Sequence, residues 1–241
     1  MPALSPALPP SLATVLQNPA IWRGSDCAPE PATVPTGFPA LDAVLPGHGW
    51  PTAALTEVVL ACEGIGEIAL TLPALARLQA EGRDVVWIAP PHVPYAPALA
   101  AAGIDLARLV VVRCRNAADQ LWACEQALRA PECGAAFAWL ATPDDRVLRR
   151  LQVAAHEGGT WGVLWRRPGQ HALATAAPLR LGLAPQDGRL AVRVLKRRGG
   201  ELAQPVLVDI AAAVAGHPAE PRAGAVRNPD PAGRNGGAAT S

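Results

Sequence analysis

The stretch that decides the fold is Leu55-Thr-Glu-Val-Val-Leu60, which is followed by Ala61-Cys-Glu-Gly-Ile-Gly66 and by a helical pattern from Ile68 to Ala80. The first six residues form a largely apolar run that is typical of a strand buried on both faces of a sheet. The two glycines after it permit a tight turn, and leucines then recur at helical spacing. The stretch therefore predicts a strand–loop–helix unit of an α/β fold.

The same alternation continues along the chain. Further strands are predicted at 85–89, 109–112, 135–140 and 161–165, and further helices at 96–102 and 117–130. Thr142, with Pro143 in the first turn and Asp145 three residues on, predicts the start of another helix that ends at Gly158-Gly159. Strands at 178–183, 189–195 and 204–210 follow, joined by turns at 187–188 and 199–200. The fold class is therefore α/β, with a mostly parallel sheet, helices on both faces and a C-terminal antiparallel extension.

Three regions differ in composition. Residues 1–32 form an N-terminal arm rich in Pro, Ala and Ser, residues 33–213 form the folded core, and residues 214–241 form a tail with almost no large apolar residues. The tail is predicted to be disordered because it cannot bury enough apolar surface. The arm carries a short helical pattern with Leu12 and Leu16, followed by Ile21 and Trp22. Nothing local covers Trp22, so it is predicted to dock on a core surface, either its own or that of a neighbouring subunit, and all four residues are candidate association residues.

The bulk composition excludes several classes of function. The formal net charge is +1 and 17% of residues are charged, so no global charge draws the chain to nucleic acid or to an anionic membrane. No apolar run is long enough to span a bilayer, and no signal peptide is visible. The five cysteines form no CxxC pair and no zinc-like spacing. We expect reduced structural thiols in a cytoplasmic protein that does not bind membranes.

The loop at 61–66 is the place where a nucleotide-binding protein would hold phosphate, since it joins a buried strand to a helix. A P-loop needs GxxxxGK[ST], with a lysine for the phosphates and a hydroxyl for magnesium. Glu67 and Ile68 stand at those two positions, and the single lysine of the chain is Lys196. The loop is therefore predicted to be either a degenerate P-loop or simply a tight turn, and no cofactor is predicted. The residues of this degenerate loop are Glu63, Gly64, Gly66, Glu67 and Ile68.

Longer segments carry a family resemblance. The segments Val34-Pro-Thr-Gly-Phe-Pro-Ala-Leu-Asp42 and Leu45-Pro-Gly-His-Gly-Trp-Pro51 resemble the entry to the RecA recombinase core. The segments that begin Trp87-Ile-Ala-Pro-Pro-His92, Ala102-Gly-Ile-Asp105 and Leu151-Gln-Val-Ala154 resemble the ImuA family, which is also described as SulA-like. The resemblance covers about residues 11–210, and it implies a RecA-like fold.

The resemblance also implies a function. ImuA proteins belong to the SOS response and act in translesion DNA synthesis. Their partners are ImuB, which is an inactive Y-family polymerase homologue, an error-prone replicative-type polymerase and RecA. The resemblance further implies self-association. It therefore predicts a non-catalytic adaptor of SOS-induced mutagenesis.

When the catalytic positions of RecA are mapped onto this chain, the residues found there predict that it does not hydrolyse ATP. The P-loop lysine falls at Glu67, and the glutamate that orients the attacking water falls at Pro91. The Walker B aspartate falls at the end of the strand that closes at Leu140, where no carboxylate stands. Asp144 and Asp145 lie nearby, but they are better explained as residues that begin a helix. The chain is therefore predicted not to be an enzyme.

Two groups of basic residues are candidate contact sites. One group is predicted to bind DNA phosphate or an acidic partner, with a plain basic turn as the alternative, and consists of Arg166, Arg167, Lys196, Arg197 and Arg198. The other group shares one helix face, which is either solvated or a partner contact, and consists of Arg146, Arg149 and Arg150. Any binding of single-stranded DNA is expected to be weak, because the whole chain carries so little net charge.

A second function remains open. SulA-type inhibitors of cell division, whose target is FtsZ, also have a RecA-like fold without a nucleotide site. The long N-terminal arm and the match at Trp87-Ile-Ala-Pro-Pro-His92 favour the ImuA-type adaptor. A residual NTPase conflicts with the residues at 67, 68 and 91 taken together.

Overall fold

The computed structural model describes residues 32–140, 144–166, 175–198, 200 and 202–211. The strands in these ranges are β1 (Thr33–Val34), β2 (Trp50–Pro51), β3 (Leu55–Leu60), β4 (Asp84–Ile88), β5 (Leu109–Val112), β6 (Cys133–Ala138), β7 (Trp161–Arg166), β8 (Leu179–Gln186), β9 (Arg189–Lys196) and β10 (Val206–Val208). The α-helices are α1 (Pro39–Asp42), α2 (Leu72–Ala80), α3 (Ala96–Ala101), α4 (Ala117–Arg129) and α5 (Asp145–Gly158).

The central sheet has eight strands in the order β10-β9-β8-β3-β7-β6-β4-β5. From β8 to β5 all neighbouring strands are parallel, whereas β8, β9 and β10 pair antiparallel. The predicted α/β fold, with its mostly parallel sheet and C-terminal antiparallel extension, is confirmed. Strands β1 and β2 form a separate small sheet that the sequence analysis did not predict.

The alternation of side chains along the strands builds two cores, one on each face of the sheet. On one face Val58, Trp161 and Val163 pack in a cluster that includes Leu75 of α2. Trp50 of β2 covers the same face, and its ring stacks on Trp161 with a centroid separation of 5.1 Å. The other core packs α4 and α5 against the opposite face. Burial on both faces explains why the parallel strands are apolar runs and not alternating patterns.

Helix α2 begins at Leu72, whereas the sequence analysis placed its start at Ile68. Pro73 explains the difference. Inside a helix its ring would clash with the carbonyl four residues earlier, so proline is favoured in a first turn. The residues before Leu72 form turns, closed by bonds such as the one from the Thr71 hydroxyl to the Ile68 carbonyl at 2.7 Å. The loop after β3 therefore does not lead directly into a helix N-terminus.

Helix α5 is capped by Asp144, not by the Thr142 that the sequence analysis proposed. The Asp144 carboxylate accepts the backbone N–H of Val147 at 2.8 Å, and the helix begins at Asp145. An aspartate at the N-cap satisfies a free N–H and also favours the helix dipole. The predicted role of Asp144 and Asp145 in starting the helix is therefore confirmed. Gly159 ends the helix in the left-handed conformation, as predicted.

The N-terminal arm up to residue 31 and the tail from residue 212 lie outside the described residues, so the predicted arm helix and the predicted disorder of the tail stay predictions. Among the helices that the structure does describe, none combines the length and apolar character needed to cross a bilayer.

Candidate functional site

A crevice opens at the carboxyl ends of the central parallel strands. Helix α2 covers one face of the sheet and helices α4 and α5 cover the other, so the loops after β3, β4, β6 and β7 diverge at this end. Open α/β sheets bind ligands at this kind of position. The crevice has a volume of about 320 Å³ and is lined by Leu60, Glu63, Gly64, Glu67, Pro91, His92, Trp139, Trp165 and Arg166.

The loop after β3 is held by bonds and contacts within the chain. The backbone N–H of Gly64 donates to the carboxylate of Glu67 at 3.3 Å. Gly66 adopts a φ of +86°, and a Cβ built on it would lie 1.9 Å from the Cδ1 atom of Ile210. The segment after β10 therefore packs directly on this loop.

Aromatic rings form the inner wall of the crevice. Trp139 follows β6 and stacks on Trp165 of β7, with ring centroids 5.9 Å apart and planes at 16°. Trp87 meets Trp139 edge-on at 6.0 Å. Trp165 is buried, whereas Trp139 is half-buried. An aromatic surface is thus present beside the carboxylates of the β3 loop.

The mouth of the crevice carries the acidic side chains of Glu63 and Glu67. Glu63 lies 3.8 Å from the Nε2 atom of His92, and their side chains are 46% and 81% exposed. A pair this exposed contributes little to stability. Glu63 and Glu67 would repel a triphosphate. Arg166 also lines the crevice, and its guanidinium pairs with the buried carboxylate of Glu57.

The structure also describes the other positions onto which the sequence resemblance carries the catalytic residues of RecA. Pro91 is exposed after β4 and carries no titratable group. Strand β6 ends at Ala138 and is followed by Trp139 and Leu140. Asp144, the first described carboxylate after Leu140, is committed to its helix cap. These placements support the sequence-based hypothesis of a non-catalytic protein.

Arg166 was expected at a phosphate or partner contact, but the structure buries it. Its side chain is 1% exposed and its Nε donates to the Glu57 carboxylate at 2.6 Å. The second carboxylate oxygen of Glu57 lies 3.3 Å from the Nε of Arg180. The parallel pairing of β3 with both β7 and β8 places these three side chains on the same face of the sheet. Arg166 is therefore corrected from a contact residue to a member of a buried ion network.

Glu57 is not among the site residues predicted from the sequence. Its signal was nevertheless present, because a carboxylate inside the otherwise apolar run of β3 must find a cationic partner when the strand is buried. The sequence could not name that partner, since Arg166 lies 109 residues away in the chain.

The basic residues after β9 are partly engaged within the protein. Lys196 is exposed and its Nζ donates to the Thr175 carbonyl at 2.6 Å. Arg197 donates to the carbonyls of Gly200 and Val44, which ties the hairpin to the segment after α1. Arg198 is exposed. Arg197 is thus a structural residue, and Lys196 and Arg198 remain on a surface that a phosphate can reach.

The arginines of α5 are Arg146, Arg149 and Arg150. All three are exposed, and Arg150 also donates to Glu125 of α4 at 3.1 Å. Glu125 also pairs with Arg129 at 2.9 Å, so Arg150 belongs to a network that joins the two helices.

Two of the described cysteines, Cys124 and Cys133, are buried and suit structural roles. Burial raises the pKa of both the Cys124 and the Cys133 thiol to about 12, so neither forms a thiolate at neutral pH. Burial also raises the pKa of Cys114, with a contribution from Asp119. The remaining site residues of the sequence analysis, Leu12, Leu16, Ile21, Trp22 and Arg167, lie outside the described residues.

Comparison with known proteins places the chain beside two families. Residues 54–162 match the family model described as cell division inhibitor SulA. Two curated proteins named ImuA, from two strains of Caulobacter vibrioides, are 36% identical over 140 residues, which is 55% of this chain and 57% of each relative. A cell division inhibitor SulA from Edwardsiella piscicida is 33% identical over 112 residues, covering 46% of this chain and 66% of the relative.

These matches confirm the resemblance to ImuA and to SulA-like proteins that the sequence carries. The chain spans somewhat more than half the length of the ImuA proteins that it matches. The region that matches the SulA model includes β3, the loop after it, β4 and β6, but only the first two residues of β7.

Proposed function

We propose that this chain is a non-catalytic accessory protein of SOS-induced translesion DNA synthesis, similar in role to ImuA. The observation that carries the proposal is the similarity to two ImuA proteins over 140 residues. Two observations support the non-catalytic part: the Glu67 carboxylate accepts the Gly64 N–H in the loop after β3, and Ile210 packs against Gly66 of the same loop.

The partners implied by the resemblance are an ImuB-type inactive Y-family polymerase, an error-prone polymerase and RecA. The crevice suits contact with a protein better than contact with a nucleotide. Its carboxylates and its half-buried Trp139 complement a basic side chain of a partner, since guanidinium groups pair with carboxylates and stack on indole rings.

Single-stranded DNA is a further, weak ligand in this proposal. The phosphate contacts assigned to it are Arg167, Lys196 and Arg198. Arg166 is removed from the set because its side chain is buried, and Arg197 because it is half-buried and bonded to Val44 and Gly200, whereas Lys196 and Arg198 are exposed. Three phosphate contacts support only non-specific affinity, about micromolar or weaker.

The accessory role is tested by deleting the gene in the bacterium that encodes it and measuring the frequency of mutation after ultraviolet damage. We expect the deletion to abolish the damage-induced rise in mutation, and the wild-type gene to restore it. A Val153→Ala gene is the matched control, because Val153 is an exposed residue of α5 away from the crevice. An unchanged mutation frequency in the deletion strain contradicts the proposal.

The second candidate is an inhibitor of cell division, which the SulA family match and the Edwardsiella piscicida relative favour. The two functions differ in a visible phenotype. If the chain inhibits FtsZ, its expression without DNA damage makes cells grow as filaments, and the purified protein slows FtsZ polymerisation. Normal division at high expression supports the accessory role.

A further inference from the structure

An apolar surface surrounds one edge of the central sheet. The structure describes seven exposed large apolar side chains, and five of them lie on β5 or in the segment that joins β4 to β5. The exposed fractions are 76% for Val93, 72% for Tyr95, 42% for Leu106, 48% for Val110 and 39% for Val111. Isolated exposed apolar residues are ordinary, but a concentration at one place marks an interaction site.

A groove runs through this surface between α3 and β5. It has a volume of about 530 Å³, and we call it the edge groove; its lining residues are Val93, Pro94, Ala96, Leu99, Leu106, Leu109, Val111 and Arg113. Strand β5 is the last strand of the sheet and pairs only with β4 among the described strands. Its outer edge therefore offers free N–H and C=O groups next to the groove, a combination that accepts an extended peptide.

We propose that the edge groove is the docking site of this chain's own N-terminal segment, with Ile21 and Trp22 seated in the groove of the same molecule. These two residues are large and apolar and stand in a segment rich in Pro, Ala and Ser. The charges of that segment are Arg23, Asp26 and Glu30, which leaves a net charge of −1. Arg113 is exposed at the groove and complements it.

The length of the chain permits this docking within one molecule. Trp22 lies ten residues before Ala32, where the described structure begins, so the connection spans up to about 34 Å. The first described strand and the groove share one face of the sheet, because Val34, Leu99 and Leu109 belong to the same core. Trp50, close in sequence to the first described strand, stacks on Trp161 of β7. Strand β5 lies three strands from β7, which is a sideways distance of about 14 Å across the sheet.

The linkage also favours docking within one molecule over docking between two. A tethered segment has an effective concentration on the order of millimolar at its own groove. This value exceeds ordinary protein concentrations, so the segment of a second copy competes poorly. The inference does not depend on the accessory role proposed above, because it rests on the exposed edge and on the sequence of the arm alone.

Hydrogen exchange of the full-length protein tests the proposal. In the wild type we expect amides of residues 20–23 to exchange at least about tenfold more slowly than in a free peptide of residues 1–31. Val111→Glu should return them to the rate of the free peptide. Reciprocally, Trp22→Ala should speed exchange in residues 93–99 and 109–112. Val93→Glu, at a residue that is 76% exposed, is a second groove variant that preserves folding.

The control is Val153→Glu, which places the same charge at an exposed apolar residue of α5. It should leave exchange in residues 20–23 unchanged. Light scattering of the wild type should give the mass of a monomer. Free-peptide exchange rates at residues 20–23 in the wild type overturn the proposal. Protection that disappears on dilution, together with the mass of a dimer, shows docking between copies and also overturns it.

Discussion

The Nε atom of Arg166 lies 2.6 Å from Oε1 of Glu57, and the two side chains are 1% and 0% exposed. The guanidinium and the carboxylate have both left water, so each depends on the other for compensation of its charge. Arg180 lies at the second carboxylate oxygen, 3.3 Å away, and completes the network. The pair joins β3 to β7, which lie side by side in the central sheet.

Glu57→Ala should lower the free energy of unfolding by about 3 to 5 kcal/mol, because it leaves Arg166 buried without a counter-ion. Urea denaturation measures the change. The control is Asp84→Ala, which breaks the ion pair with Arg108, where both side chains are more than 40% exposed. That variant should lose no more than about 1 kcal/mol. Equal losses of unfolding free energy in the two variants would show that the buried network contributes no more to stability than the exposed ion pair.

Gly66→Ala should destabilise the protein more than Gly64→Ala, by about 1 kcal/mol. Both glycines have positive φ, so both variants carry similar backbone strain. A Cβ at Gly66 also collides with Ile210, whereas a Cβ at Gly64 meets nothing within 4 Å. In the double variant Gly66→Ala/Ile210→Ala, the collision is removed, so the additional loss of stability relative to Gly64→Ala should disappear. If it does not, Ile210 does not pack on the loop in solution.

The purified protein should show no ATP hydrolysis above background, with or without single-stranded DNA. The reason is the anionic loop, in which Glu67 already accepts the N–H of Gly64. ATP and magnesium should also leave the melting temperature unchanged, since a ligand that binds the native state would raise it. Saturable turnover that Glu67→Ala abolishes would be the contrary result.

Binding to single-stranded DNA should be weak. The logarithm of the affinity should fall linearly with the logarithm of the salt concentration. Each phosphate that is neutralised contributes a slope of about −0.7. The variant Arg167→Ala/Lys196→Ala/Arg198→Ala should therefore flatten the slope by up to about 2. The control is Arg189→Ala, at the opposite end of β9, which should change the slope little. A slope that the triple variant leaves unaltered would place the DNA contact elsewhere.

The sequence predicted the strands well because each buried parallel strand is a short apolar run between glycines, prolines or charged residues. Residues 55–60 and 109–112 were predicted with the bounds that the structure gives. The start of α2 was wrong by four residues, since the apolar spacing continues through Ile68 while Pro73 fixes the first turn. Local periodicity identifies an element more reliably than its end.

The site was predicted less completely than the fold. The anionic character of the loop follows directly from Glu67 in the sequence, and the structure adds its bond to Gly64. The burial of Arg166 could not be predicted, because it depends on which strands become neighbours. A pair of arginines at the end of a strand has the same sequence pattern whether it faces water or a buried carboxylate, and only the pairing of β3 with β7 decides between them.

The position of β3 in the sheet has a consequence for synthesis of the protein. Strand β3 is made early, yet its two neighbours, β7 and β8, come much later, and the bond from Trp161 to Thr56 spans 105 residues. The high contact order predicts slow folding. A nascent chain that has not yet released β7 and β8 from the ribosome exposes both edges of an apolar strand. Chaperone binding to the growing chain is therefore expected until residues near 183 have emerged.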